Sequence, residues 1–171
     1  MAVELALVSD THVPSRADAI PTWVQDRIRA ADHVVHAGDF DSAEAYDRIV
    51  ELAGGEESLT AVVGNIDPGS FDLPVVERLR VEDATFVVTH GAGPRRGYRS
   101  RVAETVREEA GPEALGVSGH THETLDEVVD GVRLLNPGTA TGAPPGSEPT
   151  MYVATVDGAS VSVTLHSGEG E

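Results

Sequence analysis

The sequence predicts an α/β fold in which two β-sheets pack face to face with helices outside. Three observations carry that reading. Short valine- and alanine-rich runs alternate with helical patterns in the first part of the chain. Hairpin patterns dominate the remainder. At 171 residues the chain is long enough to bury a core as one domain, residues 1–171, without covalent staples.

Five runs read as buried strands followed by loops: "VELALVSDTH", "HVVHAGDF", "LTAVVGNID", "ATFVVTHGAG" and "ALGVSGHTH". Between the first two lies "IPTWVQDRIRAAD", a helix with Pro21 in its first turn and Val24 and Ile28 on one face. Between the second and third lies "DSAEAYDRIVELAGG". Asp41 and Glu44 there form a capping-box-like start, Tyr46, Ile49, Val50 and Ala53 an apolar stripe, and Gly54 a stop. Strand–helix–strand alternation of this length implies parallel pairing through right-handed crossovers. A third helix is expected over about residues 98–110, with Val102 and Val106 inward and Gly111 closing it. The segments "LPVVERLRVEDATFVVTH", "TLDEVVDGVRLLNPG" and "TMYVATVDGASVSVTLH" read as antiparallel hairpins, the last two turning at Asp130-Gly131 and Asp157-Gly158. "GTATGAPPGSEP", residues 138–149, is a turn-rich loop and not a domain linker.

Composition excludes several functions. Asp and Glu number 29 against 12 basic residues, a net charge of -17, and every basic residue is arginine. Such a surface repels anionic membranes and argues against a long nucleic-acid partner. Adaptation to high salt, a halophilic character, would account for it, because screening removes self-repulsion. The absence of cysteine rules out disulfides and thiolate metal sites. Neither a signal peptide nor a membrane-length apolar stretch is present, so a soluble, cytoplasmic protein is expected.

The five strand ends should lie on one sheet edge, where open α/β sheets bind ligands. They bring Asp10, His12, Asp39, Asn65, His90, His120 and His122 together. Asp10/His12 and His120/His122 are both i, i+2 pairs, and in extended chain such residues point the same way. A sulfur-free nitrogen and oxygen donor set suits a first-row cation such as manganese, iron, nickel or zinc, and not calcium. Seven ligands exceed one tetrahedral site and suit two cations sharing a carboxylate. One histidine at a strand end is ordinarily structural, and Gly-Asp after a strand is ordinary turn chemistry. Five such ends in order are not explained that way.

"DTH", "GDF", "GNID", "THG" and "GHTH", in that order, resemble the motifs of the calcineurin-like metallophosphoesterases, in particular their small single-domain phosphodiesterases from bacteria and archaea. "NPGT" at 136–139 matches a further landmark, so the resemblance covers nearly the whole chain. It implies a four-layer αββα sandwich of two mixed β-sheets and a dinuclear site. By position, Asp10, His12 and His122 would hold the first metal, Asn65, His90 and His120 the second, and Asp39 would bridge them. Asp39, Asn65 and His90 would also be the catalytic residues. The cofactors would be two divalent metal ions, manganese first, with nickel, iron or zinc as alternatives. The implied reaction is hydrolysis of a small anionic phosphodiester by a metal-bridging hydroxide. Two cations, two carboxylates and one hydroxide leave a positive site in a negative protein.

The chain departs from the pattern at two places. Ile66 stands where many larger relatives carry histidine after Gly-Asn, and Ala92 where many close relatives carry histidine two residues past His90. Metal binding is untouched; proton delivery to the leaving group is not. "GPRRGYRSR", residues 93–101, offers Arg95, Arg96 and Arg99 to a second anionic group of the substrate, or else simply starts a solvated helix. His33, His36 and His166 read as structural or surface residues, and Asp67 as either orienting a ligand or capping a turn. Two other functions fit the resemblance: a protein-interaction scaffold like a retromer subunit of this fold, and a nuclease acting on short oligonucleotides. A homo-oligomer is left open.

Overall fold

The computed structural model describes residues 2–168. Strand β1 (Val3–Val8), helix α1 (Thr22–Ala30), β2 (His33–His36), α2 (Ala43–Ala53) and β3 (Leu59–Ala61) form two parallel crossovers. β4 (Val76–Val81) and β5 (Ala84–Thr89) form a hairpin, and α3 (Tyr98–Ala110) leads to β6 (Leu115–Val117), parallel to β5. The hairpins β7 (Thr124–Val129) with β8 (Val132–Pro137) and β9 (Thr150–Asp157) with β10 (Ser160–Ser167) complete the chain. Two five-stranded mixed sheets result, ordered β10-β9-β1-β2-β3 and β4-β5-β6-β8-β7.

Side-chain alternation builds the layers. In β1, Leu5 and Leu7 face the second sheet while Ala6 and Val8 face the helices α1 and α2. In β5, Phe86 and Val88 face the first sheet while Val87 packs on α3. Strands buried on both faces read as continuous apolar runs, which is why they stand out in the sequence. The order of layers is α1/α2, sheet, sheet, α3, the αββα sandwich expected.

The elements differ from expectation in detail. Ser42, not Asp41, caps α2, its side chain accepting from Ala45 N at 3.1 Å. The buried stripe of α2 is Ala45, Ile49 and Leu52, with Tyr46 and Ala53 only flanking it. Small Ala45 lets the helix approach its sheet along that line. Gly54 does stop α2, in the left-handed conformation. The β9–β10 turn sits one residue later than expected: Asp157 pairs with Ser160, so Gly158 and Ala159 form the loop. Helix α3 and its inward Val102 and Val106 match the reading.

Most charge is solvated, and exposed arginines pair with local acids, as in Arg29–Asp26 and Arg133–Asp126. Such pairs contribute little individually. The excess of negative charge remains, so stability should rise with salt. A screening gain of about 1 kcal/mol would raise Tm by roughly 2–4 °C for a chain of this size. Thermal melts from dilute to molar potassium chloride check this; a flat or falling Tm would reject it.

Candidate metal centre

All five loops named in the sequence follow β1, β2, β3, β5 and β6 at their carboxyl ends, and these ends converge. The loops are not extended. Asp10, His12, Asp39, His120 and His122 all have positive φ, between 47° and 75°. Non-glycine residues seldom adopt this conformation, and it clusters at functional sites. The i, i+2 argument therefore assumed the wrong geometry: left-handed steps beyond the strands turn the side chains inward.

Each imidazole is oriented from outside by an acceptor that fixes its tautomer. His90 Nδ1–H donates to Ala37 O at 2.7 Å, His122 Nδ1–H to Ala143 O at 2.8 Å, and His12 Nδ1–H to the Asp41 carboxylate at 3.0 Å. In its neutral form each of the three then turns Nε2 to the centre as an acceptor. His120 is reversed, with Nε2–H donated to Gly93 O at 2.8 Å and Nδ1 turned to Asn65 Oδ1 at 3.1 Å. The carboxylates follow the same rule. Asp10 Oδ2 accepts from Ser9 Oγ at 2.6 Å and His120 N at 3.0 Å, leaving Oδ1 free. Asp39 Oδ1 accepts from Ile66 N at 2.8 Å, leaving Oδ2 inward.

The inward atoms crowd without satisfying one another. His12 Nε2 and His122 Nε2 lie 3.2 Å apart. Asp10 Oδ1 is 3.3 Å from His122 Nε2 and 3.6 Å from His12 Nε2, while Asp39 Oδ2 is 3.0 Å from His90 Nε2 and 3.6 Å from His12 Nε2. Asp10 Oδ1 and His90 Nε2 are buried without a hydrogen-bond partner. Buried polar atoms are nearly always paired, so two unpaired ones among converging nitrogen and oxygen donors suit a cation. The protonation balance agrees. Burial pushes the Asp10 carboxyl up, but hydrogen bonds from His12 and His122 hold it well below the usual range. Burial likewise opposes the charge of His90, yet its pKa is pushed up to about 9, chiefly by Asp39 and Asp10. The centre attracts positive charge.

Two groups of donor atoms lie close enough to share an ion: Asp10, His12 and His122, and Asp10, Asp39 and His90. The first matches the expected first-metal set. In the second, Asp10 Oδ1 is shared, so geometry offers Asp10 as well as Asp39 between the two positions. His120 falls outside both groups and pairs with Asn65, an exposed residue, so this side is the open one. The donors are oxygen and nitrogen, and they fit a borderline divalent cation.

Supporting residues were only partly legible. Asp67 accepts four backbone N–H groups, from Asp39, Phe40, Asp41 and Gly64, at 2.7–3.0 Å, so both of its expected roles hold. Asn136, in "NPGT", ties the His120 loop through Gly119 O and Thr121 Oγ1, each at 3.0 Å. Thr139 donates to Asp10 O at 2.8 Å and Thr141 to Thr11 O at 2.7 Å. With Ala143 O, these bring the 138–149 loop into the site, a role its composition does not announce. A Cβ on Gly64 would collide with Asp39, and one on Gly119 with Ser9 and Asp10, which explains glycine before Asn65 and His120.

The arginines are differently placed. Arg95 pairs with Glu123 and also donates to Thr121 O at 3.3 Å. Arg99 pairs with Glu127 at 2.8 Å, and Arg96 is exposed. Arg95 and Arg99 must leave carboxylates to meet an anion.

His36 is structural, as expected. It is fully buried, accepts from Gly38 N at 3.1 Å and donates Nε2–H to Thr11 Oγ1 at 2.7 Å. Burial depresses its pKa to about 3. Between that value and the unfolded value near 6.5, only the unfolded chain takes the proton, so His36 withdraws stability as pH falls, by up to about 1.4 kcal/mol per unit. In chelator-treated protein, the stability advantage of wild type over His36→Gln should shrink by about 2–3 kcal/mol between pH 7.5 and 4.5. A pH-independent gap in denaturant titrations would reject the neutral assignment.

The model of the calcineurin-like phosphoesterase superfamily domain matches residues 3–159. A probable metallophosphoesterase of Methanothermobacter thermautotrophicus is 32% identical over 155 residues, 90% of this chain and 86% of that one. A phosphodiesterase of Methanocaldococcus jannaschii is 26% identical over 155 residues, covering 82% and 86%. The crystal structure of wild-type Vps29 from Entamoeba histolytica complexed with Zn2+ superposes with a TM-score of 0.77 at 24% identity, covering 96% of this chain and 97% of that one. Among the described residues no helix is long and apolar enough to cross a membrane.

Proposed function

We propose, from the premise that the chain belongs to the calcineurin-like phosphoesterase superfamily, that it is a metal-dependent phosphodiesterase acting on small anionic diesters. The observation that carries this reading is the convergence of buried donor atoms from Asp10, His12, Asp39, His90 and His122, with Asp10 Oδ1 and His90 Nε2 unpaired among them. Asp10, His12 and His122 would hold one divalent ion and His90, Asn65 and His120 the other, with Asp39 between; manganese is the first choice, and nickel, iron and zinc are alternatives. Such ions supply a hydroxide at neutral pH and offset charge on a phosphate. The chain's own part is orientation: acceptors behind each histidine fix the tautomer, and the open Asn65–His120 side admits the diester.

A scaffold role is the second reading, favoured by likeness to Vps29 structures. It gives no reason for seven intact donor residues, which supports the enzyme. A short-oligonucleotide nuclease is disfavoured by a net charge of -17.

Among the described residues, Ile66 and Ala92 bring no acidic side chain to the neighbourhood of Asn65 and His90. Ile66 is a half-exposed apolar residue whose N–H is committed to Asp39, and Ala92 carries no donor. General-acid help is worth ~10²–10⁴-fold and matters most for poor leaving groups. Across a series of aryl phosphodiesters the rate should therefore fall steeply as leaving-group pKa rises. Ile66→His should flatten that slope, accelerating poor leaving groups by up to ~10². Absence of any metal-dependent diester hydrolysis would reject the enzyme, and a shallow wild-type slope would mean that another group delivers the proton.

A further inference from the structure

A cavity of about 350 Å³ opens beside Asn65 and His90, lined by Val63, Val75, Val76, Ala92, Val102 and Arg101. Its walls are chiefly apolar. In so acidic a protein, large exposed apolar side chains are few: among the described residues they are Ile66, Val75, Val128 and Leu165. One of the four, Val75, 67% exposed, is in the cavity wall, and another, Ile66, directly follows Asn65, which lines it. Ala92 contributes a methyl to the wall. Arg101 is the cavity's cation. Its Nη2 is held by Gly91 O at 3.1 Å and Pro94 O at 3.0 Å, while its buried Nε has no hydrogen-bond partner. A buried donor without an acceptor is uncommon. The volume lies in the range of small-molecule sites, and a mainly apolar wall with one convergent polar group is their usual lining.

We propose that this cavity is a specificity subsite that receives an apolar, ring-sized substituent of the phosphodiester. The assignment rests on the diesterase reading above, with which the cavity shares Asn65 and His90. An aliphatic wall rewards burial of a ring and gives nothing to a methyl group too small to reach it. The substrates favoured are thus diesters with one aryl or similarly apolar arm.

Binding tests this apart from turnover. The Mn2+-loaded protein is titrated calorimetrically with methyl phenylphosphonate and with methyl methylphosphonate, two monoanions of the same charge that differ in the ring and resist hydrolysis. The phenyl compound should bind at least about tenfold more tightly. Val75→Asp and Ala92→Asp, both at exposed positions, should each cut that preference severalfold while Tm stays near that of wild type. Hydrolysis of methyl p-nitrophenyl phosphate is followed in parallel. Turnover with equal affinity for the two phosphonates, or a preference untouched by both variants, overturns the subsite alone. No turnover and no binding overturn the subsite and the diesterase reading together.

Discussion

Asp39→Asn should lower turnover by roughly 10³-fold or more and bring bound metal below two ions per chain. The carboxylate divides its work between two oxygens. Oδ1 is held by Ile66 N at 2.8 Å, and Oδ2 lies between the two halves of the cluster, 3.6 Å from His12 Nε2 and 3.0 Å from His90 Nε2. Asparagine keeps the shape and the bond to Ile66 but turns a neutral amide NH2 toward bare imidazole nitrogens. One negative charge is lost where two cations would share it, and a donor replaces an acceptor. His122→Ala is the contrast: it should empty chiefly the Asp10–His12–His122 position and leave His90 with its neighbours. Metal content by elemental analysis, together with diester turnover, distinguishes the two variants. Near-normal turnover of Asp39→Asn with two bound ions would overturn the shared-carboxylate assignment.

The candidate ligands were legible because each follows a strand whose apolar run is unmistakable, and strand ends in an α/β sheet gather by topology. What brings them together was not legible. Asp10, His12, Asp39, His120 and His122 reach the centre through left-handed backbone, a conformation the extended reading did not anticipate. Orientation of the rings depends heavily on main-chain carbonyls, those of Ala37, Gly93 and Ala143, and a carbonyl has no letter in a sequence. Asp41 was misread for a related reason. A carboxylate ahead of a helix is a natural cap, but here it accepts from Ser15 N and orients His12, leaving Ser42 to cap α2. The fold was more legible than the site because it depends on the alternation of side chains, which sequence displays directly. Turn position is weaker: Asp157-Gly158 looks like a two-residue loop, yet register with Ser160 moves the loop on by one.

Asp67 should matter almost as much as a ligand although it faces no metal position. Oδ1 accepts from Phe40 N at 2.7 Å and Asp41 N at 3.0 Å, and Oδ2 from Asp39 N at 2.9 Å and Gly64 N at 2.8 Å. One side chain thus binds the Asp39 loop to the loop that carries Asn65, and through Asp41 it reaches the partner of His12. Charge-assisted bonds of this kind are the stronger ones, and removing the acceptor leaves four donors in a partly buried turn. Asp67→Ala should cost about 2–4 kcal/mol of stability, more than an exposed turn residue would, and weaken metal binding by ~10–100-fold. Asp67→Asn should rescue little, because its NH2 would face two of the N–H donors that a carboxylate oxygen now satisfies. If the defect is one of ligand placement, saturating Mn2+ should restore part of kcat while the apparent metal affinity stays low. Metal titrations by calorimetry and denaturant unfolding of both variants supply the readouts. Wild-type metal affinity and stability in Asp67→Ala would mean that the two loops hold their shape without it, and the account of how Asp39 is positioned would fall.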